Sequence, residues 1–205
     1  MTDNAPAIHA TKQRLIDAGL RLLLRHGYND LGVQAILAET RLPKGSFYHH
    51  FRDKEDFALQ VVDGYMAQVH AGLDHCLSDR ARPPLSRVRD FFEMTQAAYR
   101  EEGYLGCLIG GLGQELSGVS EVFRTRIDGC LGYISERMAA CLEEARQSGD
   151  IPPDSDVREV ADRLVDCWEG AALRSRLQRH PQALGAMLDF FFMAVTRDRA
   201  SAGPG

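Results

Sequence analysis

Leu42-Pro43-Lys44-Gly45-Ser46-Phe47-Tyr48-His49-His50-Phe51-Arg52-Asp53-Lys54-Glu55-Asp56 is the stretch on which the reading of the chain turns. Pro43 fits a helix start, where the N–H it lacks would have no partner. From Lys44 to His49 the polar groups are Lys, Ser, Tyr and His, with Gly45 among them. A short helix with that surface suits a polyanion: Lys supplies charge, Ser and Tyr supply hydroxyl donors, and Gly lets the backbone approach closely. Phe47 and Phe51 lie four apart, share a face and can anchor the segment to a core. Asp53 reads as the N-cap of a longer helix, with Asp56 three residues on as a box-like partner. On composition alone, an ordinary surface helix with two aromatic anchors accounts for the stretch equally well.

Context shifts that balance. Upstream, Val33-Gln34-Ala35-Ile36-Leu37-Ala38-Glu39-Thr40 is a second short amphipathic segment. Two short helices joined by a few residues are the pattern of a helix-turn-helix. The small Ala35 and Ala38 would let the second helix cross the first closely.

Residues 11–56 resemble the DNA-binding domain of the TetR family of bacterial regulators. The resemblance rests on Ala18, Leu22, Gly27-Tyr28, Val33, Ile36 and Ala38, then on Lys44-Gly45-Ser46-Phe47-Tyr48-His49-His50-Phe51 and Lys54-Glu55. It implies operator contacts by Lys44, Gly45, Ser46, Tyr48, His49 and Lys54. Of these Tyr48, His49 and Lys54 would hold phosphates, and Lys44 and Ser46 would lie nearest the base edges. One departure stands out. The family usually has a threonine touching phosphate at the start of its second helix, where this chain has Leu31-Gly32. That contact is therefore missing or comes from a backbone N–H.

The 205 residues suit one or two domains, and 44% apolar residues suffice for a core. No apolar run is long enough to span a bilayer, and Met1 to Ala10 carries no signal pattern, so a cytoplasmic protein without membrane partners is the expectation. The net charge is −5, but residues 10–54 hold eight Lys and Arg against four Asp and Glu. A basic head of +4 thus sits on an acidic remainder of −9, a layout common in DNA-binding regulators. The five cysteines are scattered, with no Cys-x-x-Cys. Cys130 and Cys141 share a helix face but stand roughly 16 Å apart along it, too far for a disulfide. Reduced thiols are the simplest reading.

Periodicity places helices over 11–26, 33–39, 44–49, 53–77, 85–101, 105–116, 119–147, 155–178 and 182–198, with no strand-period segment. The expected fold is all-α: an N-terminal three-helix helix-turn-helix domain followed by a C-terminal helical ligand-binding and dimerisation domain. The expected divisions are a disordered arm over 1–10, the DNA-binding domain over 11–56, the ligand-binding and dimerisation domain over 57–198, and a disordered tail over 199–205.

The last helix is apolar nearly all round, so it must be covered on more than one side. A second copy is the expected cover for one side, since helix-turn-helix proteins bind as dimers across half-sites. The family resemblance implies that the last two helices pair with their copies. Leu164, Trp168, Leu184, Leu188, Phe191, Phe192 and Val195 are the candidate interface.

A small-molecule inducer would enter the apolar body between helices. Tyr65, Tyr99, Glu115, Tyr133 and Trp168 are candidate ligand contacts, each equally explicable as a core or interface residue. Cys107, in Gly103-Tyr104-Leu105-Gly106-Cys107-Leu108, is placed in the first turn of a helix, where a thiolate is stabilised. Most cysteines, however, are simply small buried residues. Together with the segment from Pro43 to His49, Gly106-Cys107-Leu108 resembles the subgroup of the family that answers electrophiles and acrylates, the repressors of N-ethylmaleimide reductase among them. That resemblance maps the subgroup's sensing cysteine onto Cys107.

Other chemistries find little support. The glycines at 106, 110, 111 and 113 follow no strand and match no phosphate-loop spacing. His49-His50 point about 100° apart on a helix and make no metal pair. No catalytic set, metal site or cofactor is expected. The reading is a ligand-responsive repressor of double-stranded operator DNA. A Cys107-dependent enzyme acting on small electrophiles and a helical adaptor that does not bind DNA remain as alternatives.

Overall fold

The computed structural model describes residues 5–197, and among them every regular element is a helix. In chain order these are α1 (Ala5–His26), α2 (Val33–Thr40), α3 (Lys44–His50), α4 (Lys54–Leu77), α5 (Pro84–Glu101), α6 (Leu108–Leu116), α7 (Glu121–Gln147), α8 (Val157–Gln178) and α9 (Gln182–Arg197). The expected tail over 199–205 and the first residues of the expected arm lie outside the described residues.

Several helix starts differ from the periodicity reading. α1 begins at Ala5 rather than Thr11, so much of the expected disordered arm is helical. Pro6 falls in its first turn, where a proline removes no intrahelical bond. α6 begins at Leu108 rather than Leu105, because Gly103, Tyr104 and Gly106 all have φ between +59° and +82°. A right-handed helix cannot form through left-handed residues. Cys107 therefore lies just before α6, not inside its first turn. At α8 the cap is Asp156 rather than Ser155: one Asp156 carboxylate oxygen accepts the N–H groups of Arg158 and Glu159 at 3.0 and 3.1 Å. Ser155 is occupied in the preceding turn, its N–H donating to Pro152. The α4 cap is as read, with Asp53 accepting the Asp56 N–H at 2.8 Å. The Asp56 side chain turns back one residue further than a capping box, accepting the Arg52 N–H at 2.9 Å.

The chain forms two compact units. The first joins residues 1–68 to 108–127. Its core is Leu15, Ala18, Leu31, Ile36, Phe47, Phe51, Phe57 and Val61, all buried. Phe47, Phe51 and Phe57 meet with ring centroids 4.9 to 5.2 Å apart, fastening α3 to the start of α4. Gly19 is required beside them: a Cβ there would lie 2.4 Å from the Phe57 ring and 2.8 Å from Val61. α2 buries Ile36, Leu37 and Thr40, while Ala35 and Ala38 face solvent, so the expected small-residue crossing is not how α2 packs.

The second unit comprises 69–107 and 128–205. Its core brings together Leu73, Val88, Phe91, Phe92, Tyr99, Met138, Leu142, Leu164, Trp168, Leu184 and Leu188. Arg87 is 2% exposed and donates to the Leu77 carbonyl at 2.6 Å and to the Glu144 carboxylate, which Arg80 also meets.

Candidate DNA-binding and sensing sites

In the first unit, α2 ends at Arg41 with φ +54°, and the chain turns through Leu42 and Pro43 into α3. Pro43 is the N-cap of α3. The geometry of α3 separates its two faces. Phe47 is fully buried, whereas Lys44, Gly45, Tyr48 and His49 are exposed and Ser46 is half-buried. A Cβ on Gly45 would meet nothing within 4 Å, so its backbone stands open to a partner. The Lys44 ammonium lies 6.0 Å from the centre of the Tyr48 ring. Burial, the neighbouring His49 and Lys12 all hold His50 below the usual histidine range, so it stays neutral at neutral pH. α2 carries no side-chain cap at Gly32, and Leu31 is buried.

Lys54 reaches back over the end of α1. Its ammonium sits 4.3 Å from the centre of the Tyr28 ring and 3.4 Å from the Asn29 carbonyl. The same turn is gripped from α6: the Glu115 carboxylate accepts the Tyr28 N–H at 2.7 Å and the Asn29 N–H at 2.6 Å. Gly27 makes room for it, with φ +75° and a Cβ position only 2.7 Å from a Glu115 oxygen. Glu115 and Tyr65 thus belong to the first unit, and the other expected ligand contacts to the second.

In the second unit, Tyr99 and Trp168 are buried with ring centroids 6.1 Å apart, and Cys107 and Tyr133 pack half-buried against the same core. Tyr133 stacks on His70 at 4.2 Å, and its hydroxyl accepts from Arg137 at 3.0 Å. The left-handed Gly106 seats the loop against α8: a Cβ there would lie 3.5 Å from the Ala172 carbonyl and 3.7 Å from the Arg176 Cβ. One turn earlier on α8 stands Glu169. Burial pushes its carboxyl up to about 7, against a weaker opposing pull from the Cys107 thiol. Sequence reasoning missed Glu169. The available signal was a carboxylate directly beside Trp168 in the apolar stripe of Val165, Trp168 and Ala172.

The expected dimer residues Leu164, Trp168, Leu184, Leu188, Phe191 and Phe192 are turned into the core of their own chain, and Val195 is half-buried. The apolar side chains left exposed on α8 and α9 are Leu173, Leu177, Phe190 and Met193, with Phe190 67% and Leu177 69% exposed.

A helix-turn-helix with one polar, exposed recognition face, followed by an all-helical body, defines a DNA-binding transcription regulator. Residues 15–61 match the family model described as bacterial regulatory proteins, tetR family, and residues 84–191 match the Tetracyclin repressor-like, C-terminal domain. The chain belongs to the TetR family. It is 38% identical over 181 residues to the transcriptional regulator AcuR of Cereibacter sphaeroides, covering 88% of this chain and 83% of that protein. It is 33% identical over 184 residues to the HTH-type transcriptional repressor DhaR of Mycobacterium sp. strain GP1, covering 90% and 91%. A crystal structure of a regulatory protein TetR from Rhodobacter sphaeroides superposes with a TM-score of 0.85 at 38% identity, over 88% of this chain and 96% of that one. Reduced Escherichia coli NemR superposes with a TM-score of 0.80 at 26% identity, over 91% and 98%. These relatives are all named or described as regulators rather than enzymes. Among the described residues, no helix is long and apolar enough to cross a membrane, and no His, Cys, Asp and Glu group could hold a metal ion.

Proposed function

We propose that the protein is a homodimeric repressor that leaves its operator when a small electrophile of the acrylate type reacts or binds at Cys107. The observation that carries the DNA half of this reading is α3. Phe47 and Phe51 lock it to the core, and its exposed side presents Lys44, Gly45, Tyr48 and His49, with Ser46 half-buried. Lys44 and Ser46 read base edges, Gly45 lets the backbone come close, and Tyr48, His49 and Lys54 hold phosphates. The uncapped N–H groups at the start of α2 take the place of the family's threonine.

The two copies meet through α8 and α9. Because the larger apolar residues of these helices fill their own core, the second copy covers Leu173, Leu177, Phe190 and Met193 instead. The body over 57–198 takes the inducer, with Cys107, Tyr99, Tyr133 and Trp168 grouped in one core.

Operator release tests this. The protein is bound to its own upstream DNA and titrated with acrylate or N-ethylmaleimide, comparing wild type with Cys107→Ser. Release of wild type alone is the expected result. Release of both assigns the ligand to non-covalent binding. If neither lets go, the inducer lies outside this chemistry and only the operator-binding half stands.

A further inference from the structure

Helix N-termini favour anions, yet α4 opens on a lysine. We infer that Glu115 is the positioning residue for that lysine: by fixing the turn between α1 and α2, it holds the Lys54 ammonium where an operator phosphate meets it. The inference rests on the reading that Lys54 holds a phosphate. It brings into DNA binding a residue of α6, outside the residues 15–61 that match the N-terminal family model.

The backbone of the turn is divided among three partners. The N–H groups of Tyr28 and Asn29 donate to the two Glu115 oxygens at 2.7 and 2.6 Å. The Tyr28 carbonyl accepts the Leu31 N–H at 3.2 Å. The Asn29 carbonyl is taken by Lys54, whose ammonium donates to it at 3.4 Å. The Tyr28 ring is the second support of that ammonium, 4.3 Å away at its centre, and it rests edge-on against the buried Phe123 at 5.3 Å. Both groups that Lys54 touches here therefore belong to residues whose amides Glu115 holds. An ammonium on a flexible four-carbon stem has many rotamers open to it, and two fixed supports confine it to few.

The grip calls for a carboxylate. Two acceptor oxygens face two amide donors. A glutamine in the same place would present one acceptor and one donor, and would set N–H against N–H. Gly27 leaves the room, with φ +75° and a Cβ position 2.7 Å from a Glu115 oxygen. All of these residues belong to one compact unit, the one that carries α3. The role also has a sign that charge alone does not give. Removing an acid from a DNA-binding unit should tighten its hold on a polyanion through the general field. Removing this one should loosen it, because the phosphate contact loses its support.

The test measures the affinity of the full chain for its own upstream DNA across a range of salt, by fluorescence anisotropy of the labelled duplex. Wild type is compared with Glu115→Gln, Glu115→Asp, Lys54→Ala and the double variant of Glu115→Gln with Lys54→Ala, each at a temperature where its melting curve shows it folded. Glu115→Gln should bind at least about threefold more weakly at roughly 0.15 M salt and flatten the salt dependence toward that of Lys54→Ala. Placed on top of Lys54→Ala, it should weaken binding by less than about twofold more, since the two act through one contact. Glu115→Asp keeps the charge but withdraws the oxygens by one methylene, and it should fall between wild type and Glu115→Gln. Should Glu115→Gln not fold, the same comparison is read from Glu115→Asp. Wild-type affinity and slope in both Glu115 variants would overturn the inference. So would tighter binding by Glu115→Gln, which would show that only its charge matters, and so would a loss that adds in full to that of Lys54→Ala. A Lys54→Ala variant with the wild-type slope would remove the phosphate reading beneath the inference, and the inference with it.

Discussion

Glu115 shows how little a residue's type says about its task. As an isolated acid in an apolar helix it looked like a ligand contact. In the fold its two oxygens take the two amides of the turn that closes α1. Glu115→Ala should cost about 1–3 kcal/mol in urea unfolding, since two charge-assisted bonds are lost. The partner is an ordinary backbone turn, which no pattern in α6 points to. Lys54, by contrast, was legible, because a whole motif surrounded it. Lys54→Ala should weaken all DNA sequences alike and flatten the salt dependence of binding by about one unit of slope. An unchanged slope would remove Lys54 from the phosphate contacts. Glu169 gives a pH prediction at the same scale. Its carboxyl ionises at about 7 in the folded chain against an ordinary 4.5. Below the lower value both states are protonated. Between the two the unfolded chain ionises first, so folding weakens as pH rises to about 7. Glu169→Gln should match wild type at acid pH and exceed it by on the order of 1–3 kcal/mol in slightly alkaline buffer.

At the scale of the element, hydrophobic period identified all nine described helices, but their first residues followed other rules. Asp53 was legible as a cap because an oxygen acceptor, a spacing and a following helix agreed. Asp53→Ala should lower the melting temperature by the equivalent of about 1 kcal/mol. The start of α6 was not legible. Gly103 and Gly106 hint at left-handed turns, but Tyr104 with φ +59° gives no such hint, and a β-carbon there is strained. Of the three glycines within α6, Gly110, Gly111 and Gly113, the last packs closely, its Cβ position lying 3.4 Å from Ile127.

At the scale of the molecule, the sequence showed that α9 has more apolar surface than one core can cover, but not which residues that core would take. Leu184, Leu188, Phe191 and Phe192 went inward, leaving Phe190 and Met193 outside. The two sets interleave along the helix and differ only in the side they face, which packing decides. Phe190→Glu should therefore leave the fold intact and yield a monomer by light scattering, with operator affinity reduced at least about tenfold. A dimer of unchanged strength would move the interface elsewhere. Arg87 is the reverse case, a charge in a core. It is held by the Leu77 carbonyl and by Glu144, so Arg87→Ala should cost about 3–5 kcal/mol by leaving that carboxylate without its buried partner.

The Glu115 bonds have one more consequence. The unit that carries the recognition helix is not a contiguous stretch of chain, because residues 108–127 belong to it as well. A recognition head cut from this protein near the end of its N-terminal family match and spliced onto a relative's body would leave behind the acid that closes its first turn. Such a head should lose least stability on a recipient that supplies a carboxylate where Glu115 stands, against the glycine at Gly27 that admits it. The fit of head to body thus turns on a pair of residues nearly ninety positions apart.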